Sequence, residues 1–212
     1  MADNAHTYGF RFHRSLNGNH MPTIYEKEIA TAYDSEDDTS TNVSLRIGDP
    51  LKAVSTGTVA LALTTERVEW IAMGFSYVDA TSGVRKVSDR LPNATAWTNE
   101  QDRIKVLCAR AKEAIWKIDA DDNTTATTAA AYRLLIGENA PHVVPGGTYA
   151  GTRYADPYLD ISLHATTVGL EWRILGWEPR VGMDLSGANV TLLVQVNDST
   201  EAGSPATNVT AV

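Results

Sequence analysis

Three histidines near the start of the chain, His6, His13 and His20, are evenly spaced, and imidazole is the side chain most used to ligate transition metals or to move protons near neutral pH. No cysteine or carboxylate pattern joins them, so they read as solvated surface residues. The acidic run Asp34-Ser35-Glu36-Asp37-Asp38-Thr39-Ser40 could attract a cation. Adjacent carboxylates without a fixed scaffold make a poor coordination sphere, and the run reads as a charged, flexible loop. Asp119-Ala120-Asp121-Asp122-Asn123-Thr124 opens like a calcium-binding loop. It fails where Thr124 replaces the glycine that makes the sharp turn and where Ala130 replaces the bidentate glutamate, and it reads as an acidic turn. Cys108, the single cysteine, has no His-Asn or His-Asp context that would make it a nucleophile, and reads as a small core side chain. A nucleophile elbow, a phosphate-binding loop, a His-Glu-X-X-His helix and cysteine pairs are all absent from the sequence, so no catalytic, cofactor-binding or metal-ligating residue is assigned and no enzyme is expected. Paired carboxylates for glycoside cleavage stay open, because only their separation in space identifies them.

The elements that must position any such groups are mostly strands. In Leu170 to Arg173 and on to Ile174 the apolar residues Leu170, Trp172 and Ile174 alternate with Glu171 and Arg173, the period-two pattern of a half-buried strand. At Leu175 and Trp177 the apolar character crosses to the other face, with Gly176 at the crossing, where a bulge fits. Val190 to Val196 is a second strand, rich in β-branched residues, and the two form a closing hairpin. Further strands are expected at 24–33, 51–54, 59–63, 70–78 and 84–87. In 70–78 the large residues Ile71, Met73, Phe75 and Tyr77 are expected to face the core. Tyr8, Phe10 and Phe12 alternate before the turn Asn17-Gly18-Asn19-His20, and form either a first strand of the core or an arm that docks on a neighbour.

Two regions read less simply. In 98–118 the stripe Ile104, Leu107, Cys108, Ala111, Ile115 and Ile118, with a capping-box pair at Thr98 and Gln101, fits a helix. The competing reading is a hairpin of strands 104–108 and 114–118. Residues 127–136 suit a short helix or a loop with one helical turn, and the Gly/Pro-rich passage from Pro141 through Pro145-Gly146-Gly147 to Gly151 has the length and composition of a contact or functional loop. The fold class is therefore mainly β: an antiparallel β-sandwich or small barrel with long loops and at most one or two short helices. The chain divides into an N-terminal arm or first strand (1–20), a β-rich body (21–198) and a polar tail (199–212).

With 212 residues, 43% of them hydrophobic, the chain can bury a proper core. Its net charge of −8 argues against nucleic-acid binding, which needs a basic field. Nothing in it resembles a membrane span or a secretory signal, and a single cysteine forms no internal disulfide.

Gly9-Phe10-Arg11, Gly48-Asp49-Pro50-Leu51-Lys52, Ile71-Ala72-Met73-Gly74-Phe75-Ser76-Tyr77-Val78-Asp79-Ala80, Arg90-Leu91-Pro92, Ile115-Trp116-Lys117-Ile118-Asp119-Ala120-Asp121 and Leu170 to Arg180, in this order and spacing, resemble a family of tailed-bacteriophage head proteins, the capsid decoration or cement proteins. The likeness covers roughly Gly9 to Asn197 and is loose over 126–167 and 34–39. It implies a non-enzymatic virion protein, made in the host bacterial cytoplasm and seated on the outer surface of the head. There it would bridge major capsid protein subunits, often as a homotrimer, without cofactors, membrane or nucleic acid. It also favours the hairpin over the helix in 98–118. The expected contact residues are Tyr8, Phe10 and Phe12, then Val144, Pro145, Gly146, Gly147, Tyr149, Arg153 and Tyr154. Two other functions fit the same fold class: a tail or baseplate component, and a carbohydrate-binding or adhesion module using Trp70, Trp97, Trp116, Trp172 and Trp177, of which Trp97 lies in a polar loop.

Overall fold

A computed structural model describes residues 9–16, 18, 21–29, 45–54, 57–64, 66–89, 104–121, 125–144, 157–166, 169–178, 185–186 and 189–197. The strands are β1 (Arg11–Ser15), β2 (Ile24–Glu28), β3 (Pro50–Ala53), β4 (Val59–Leu61), β5 (Trp70–Val78), β6 (Arg85–Ser88), β7 (Lys105–Arg110) and β8 (Ala114–Asp119). After the single described α-helix, α1 (Ala129–Leu135), come β9 (Asn139–Ala140), β10 (His142–Val143), β11 (Tyr158–Leu159), β12 (Trp172–Trp177) and β13 (Thr191–Val196). One sheet has the order β1-β8-β13-β12-β9. The other runs β2-β7-β5-β3-β4, with β6 alongside the second half of β5. Pairing within both is antiparallel, neither closes into a barrel, and the architecture is sandwich-like. The helix begins where Thr128 accepts a hydrogen bond from the amide of Ala131, an ordinary N-cap.

Two cores lie on the two faces of the second sheet. Between the sheets, Ile71 and Ala109 pack with Phe10, Trp116, Ile118, Trp172, Ile174 and Val194. On the far face, Leu51, Leu61, Trp70, Ala72, Phe75, Val106 and Cys108 form the second core, over which an isolated bridge between Ile29 and Val59 brings β2 and β4 together. Strands β5 and β7 are thus covered on both sides.

Three expectations change. In β5 the large residues do not share a face. The ladder slips between Ala72 and Gly74, so Trp70 and Ala72 before the bulge and Phe75 after it all enter the second core, while Ile71 enters the first. In 98–118 the described part holds two strands, Lys105–Arg110 and the start of Ala114–Asp119, and no α-helix, and residues 98–103 lie outside the described residues. Those strands are not a hairpin either: β7 pairs with β2 and β5, whereas β8 pairs with β1 and β13 in the opposite sheet. A 3-10 turn at Ala111–Glu113 carries the chain across, and the indole of Trp116 donates to the Ala111 carbonyl at 2.9 Å to hold the corner. Third, β12 also bulges, between Ile174 and Gly176, which returns Trp177 to the side of Trp172 and Ile174, against the first core. The closing hairpin β12–β13 is as expected.

The acidic loop 34–40, the polar tail 199–212, His6, His20, Trp97 and the stretch 122–124 lie outside the described residues. Asp119 is no exposed turn residue. It is 3% exposed, accepting from Arg11 at 2.6 Å and from the Thr191 hydroxyl at 2.7 Å. That arrangement ties β1, β8 and β13 together.

Candidate functional site

The first aromatic segment enters the body at a point where only glycine fits. Gly9 has φ +59, and a Cβ there would lie 2.9 Å from the carbonyl oxygen of Gly48. The next amide, of Phe10, donates to that same carbonyl at 2.9 Å, and the amide of Gly48 donates to Ala72 at 2.8 Å. The chain is pinned to β5 before β1 begins. Phe10 then turns inward, stacked on Trp172 at 4.2 Å between ring centroids and edge-on to His142 at 6.4 Å.

His142 opens β10, and β10 pairs with β11 through His142 with Leu159 and Val143 with Tyr158. The contact loop expected from Val144 to Tyr154 therefore leaves from, and returns to, one two-stranded ribbon. Val144 is half-buried against the second core. The roots of the two expected contact segments, before Gly9 and after Val144, thus meet at the contact between Phe10 and His142.

The individual residues fare differently. Phe10 is 1% exposed and belongs to the core of its own chain, so it is not an arm residue. Phe12 is half-buried, edge-on to Trp116 at 6.0 Å. For both, the first-strand reading holds, because a ring of this size removes more apolar area from water inside the sandwich than on a surface. Tyr8, Pro145, Gly146, Gly147, Tyr149, Arg153 and Tyr154 lie outside the described residues.

Two residues under this root carried no expectation. His142 is fully enclosed, with Nε2 2.9 Å from the carbonyl oxygen of Ala62. Its Nδ1 lies 3.8 Å from Oε2 of Glu171, which is itself 1% exposed. The alternation in 170–174 placed Glu171 on a polar face. The strand begins only at Trp172, and the carboxylate of Glu171 turns in from the bend before it. Only the neighbourhood of a histidine distant in sequence could have pointed to it.

Other chemistry is closed off or serves the fold. Cys108 is wholly buried, its Sγ 3.6 Å from the Tyr25 carbonyl oxygen, and burial pushes its thiol up to about 12. Among the described residues no group of three or more histidine, cysteine, aspartate or glutamate side chains could hold a metal ion. Trp70, Trp116 and Trp172 are buried, so they form no exposed stacking platform. Trp177 is half-buried and 6.2 Å from the Tyr132 ring.

No protein-family model, curated protein or solved structure matches the chain. The functional reading therefore rests on the resemblance in its motifs and on the geometry of the root.

Proposed function

We propose that the chain is a capsid decoration protein: a structural virion protein that binds the outer surface of a tailed-phage head and bridges major capsid protein subunits, as a homotrimer. The structural observation that carries this reading is the common root. A body with two packed cores presents the segment before Gly9 and the loop after Val144 from one buttressed point, where Phe10, Trp172 and His142 are in contact. A clamp needs this combination of stiff body and adjacent contact segments, since contacts presented from a rigid scaffold lose less entropy on binding. Repetition over a shell then multiplies a modest interface, because sites on one assembly act at high effective concentration. The burial of Trp70, Trp116 and Trp172 makes the carbohydrate-binding alternative less suited to this chain.

The test is reconstitution. Purified chain is mixed with phage heads that lack it, and binding and head melting temperature are measured. Saturable binding with a raised melting temperature supports the proposal. Absence of binding to heads, with binding to tails instead, would move the chain to the tail or baseplate.

A further inference from the structure

Where β6 lies along β5, the second sheet has the strand order β2-β7-β5-β6, and each neighbouring pair is antiparallel. Among the described residues β2 pairs along its length with β7 and β6 with β5, and the bridge from Ile29 to Val59 lies past the end of β2. The outer edge of each strand therefore carries main-chain amides and carbonyls that no described strand takes up. Such an edge is a template for a further strand. An even number of alternating strands also settles direction: β2 of a second copy held in the same orientation runs antiparallel to β6 of the first.

The side chains along the two edges complement each other. Tyr25 and Ile29 pack against the second core, which turns Ile24, Glu26 and Glu28 to the opposite face. Arg85 and Val87 point to that same face, since they lie opposite Val78 and Ser76, whereas Phe75 and Tyr77 point to the second core. Val87 is 69% and Ile24 47% exposed. Glu28 and Lys86 are already paired within the chain, with Lys105 and Asp79. Among the described residues Glu26 makes no ion pair, and Arg85 donates to the Ser76 hydroxyl at 2.8 Å but meets no carboxylate.

We propose that β6 of one copy pairs antiparallel with β2 of the next, Val87 opposite Ile24 and Arg85 opposite Glu26, so that copies join head to tail in a closed ring. This register brings two exposed apolar side chains together and sets a cation against an anion, and both favour a cross-strand pair. Like edges repel instead: two copies of β6 would crowd Arg85 and Lys86 of both chains together, and two of β2 would crowd their glutamates. A head-to-tail contact either closes into a ring or runs on as a filament. The inference deepens the homotrimer of the decoration-protein reading by naming the surface that joins its copies, and rests on that reading for the ring of three.

The test is the assembly state of the purified full-length chain by sedimentation, for the wild type, Arg85→Glu, Glu26→Arg and the two swaps together, with urea unfolding to check that each is folded. Each single swap sets like charges opposite one another and should raise the concentration of half-assembly about tenfold or more. The double swap should restore it. A wild type that stays monomeric at every concentration, or swaps that leave assembly unchanged, overturns the proposal. The register is read with Val87→Cys and Ile24→Cys under oxidised glutathione, Cys108 being buried. Mixing the two single variants should give linked dimers that neither gives alone, and the chain carrying both should give a ladder that stops at three. Linking within one variant and not in the mixture overturns the head-to-tail contact, and a ladder running past three overturns the ring. Assembly that obeys the swaps in a chain without affinity for heads would remove the decoration-protein reading and leave this contact standing. Head binding by a chain indifferent to the swaps would do the reverse.

Discussion

Truncating Phe10 to alanine removes the ring that stacks on Trp172 and closes over His142. The void lies between two sheets that are each held by their own ladders, so it cannot easily collapse. Phe10→Ala should therefore cost about 3–5 kcal/mol of stability, read as a lower urea midpoint with little change in slope. An unchanged midpoint would return Phe10 to the role of a docking arm. Cys108 offers a second test of the same kind. Its thiol, pushed up to about 12 by burial, should resist a thiol reagent at pH about 8 in the native chain and react promptly once urea exposes it. Because the native value lies above the unfolded one, this group adds stability that is complete below the unfolded value near about 8.5 and is lost as pH rises toward the native value. Fast labelling of folded protein would contradict the burial of Cys108 in the second core. At this scale the sequence was legible wherever a side chain has one plausible place: Cys108 and Trp172 read as core and are core. It was opaque for His142 and Glu171, because the partner of each is far away in the chain and each alone looks like an ordinary polar residue.

The corner between β7 and β8 is the element on which the sandwich turns, since it passes the chain from one sheet to the other. Trp116→Phe keeps an aromatic ring in the core but deletes the indole donor to the Ala111 carbonyl, at 2.9 Å. Leaving a buried acceptor unpaired should cost about 1–3 kcal/mol, measured by urea unfolding. A loss much smaller than this would mean that the 3-10 turn holds itself. The same corner explains what periodicity could not resolve. A strand covered on both faces has apolar residues at nearly every position, and Ile104, Leu107, Cys108 and Ala111 then fall by coincidence on a helical stripe. The bulges in β5 and β12 had a similar effect, because a one-residue slip exchanges faces part-way along a strand. A glycine directly follows the extra residue in both, Gly74 after Met73 and Gly176 after Leu175, and only the second was read as the place of a bulge. The one-sided strands were easier: β13 and the helix capped by Thr128 were read within a residue or two of their observed limits.

At the scale of the whole molecule, the decoration-protein proposal makes folding and binding separable. The ribbon β10–β11 is closed by its own pairing, His142 with Leu159 and Val143 with Tyr158. Residues 145–156 can therefore be exchanged for a short Gly/Ser linker at a modest cost, because loop-closure entropy changes only slowly with length. Removing residues 2–8 likewise spares Gly9, Phe10 and the Arg11–Asp119 ion pair at 2.6 Å that anchor the start of β1. Under the decoration-protein proposal each change leaves the unfolding free energy within about 1 kcal/mol of wild type, yet weakens capture by heads that lack the chain. The two losses should also differ in kind if the chain acts as a multimer on a lattice. Weakening one contact per copy is repeated at every copy, so even a small change per site becomes a large loss of retained protein on the shell. Binding by a single isolated copy lacks that amplification. The discriminating measurement is retention on heads against concentration for the wild type and both variants, with folding checked in parallel. Steeper loss on heads than on isolated capsid subunits supports a lattice clasp, and equal loss on both would leave a simple one-to-one contact. Full retention by both variants, with the fold intact, would remove these two segments from the interface altogether.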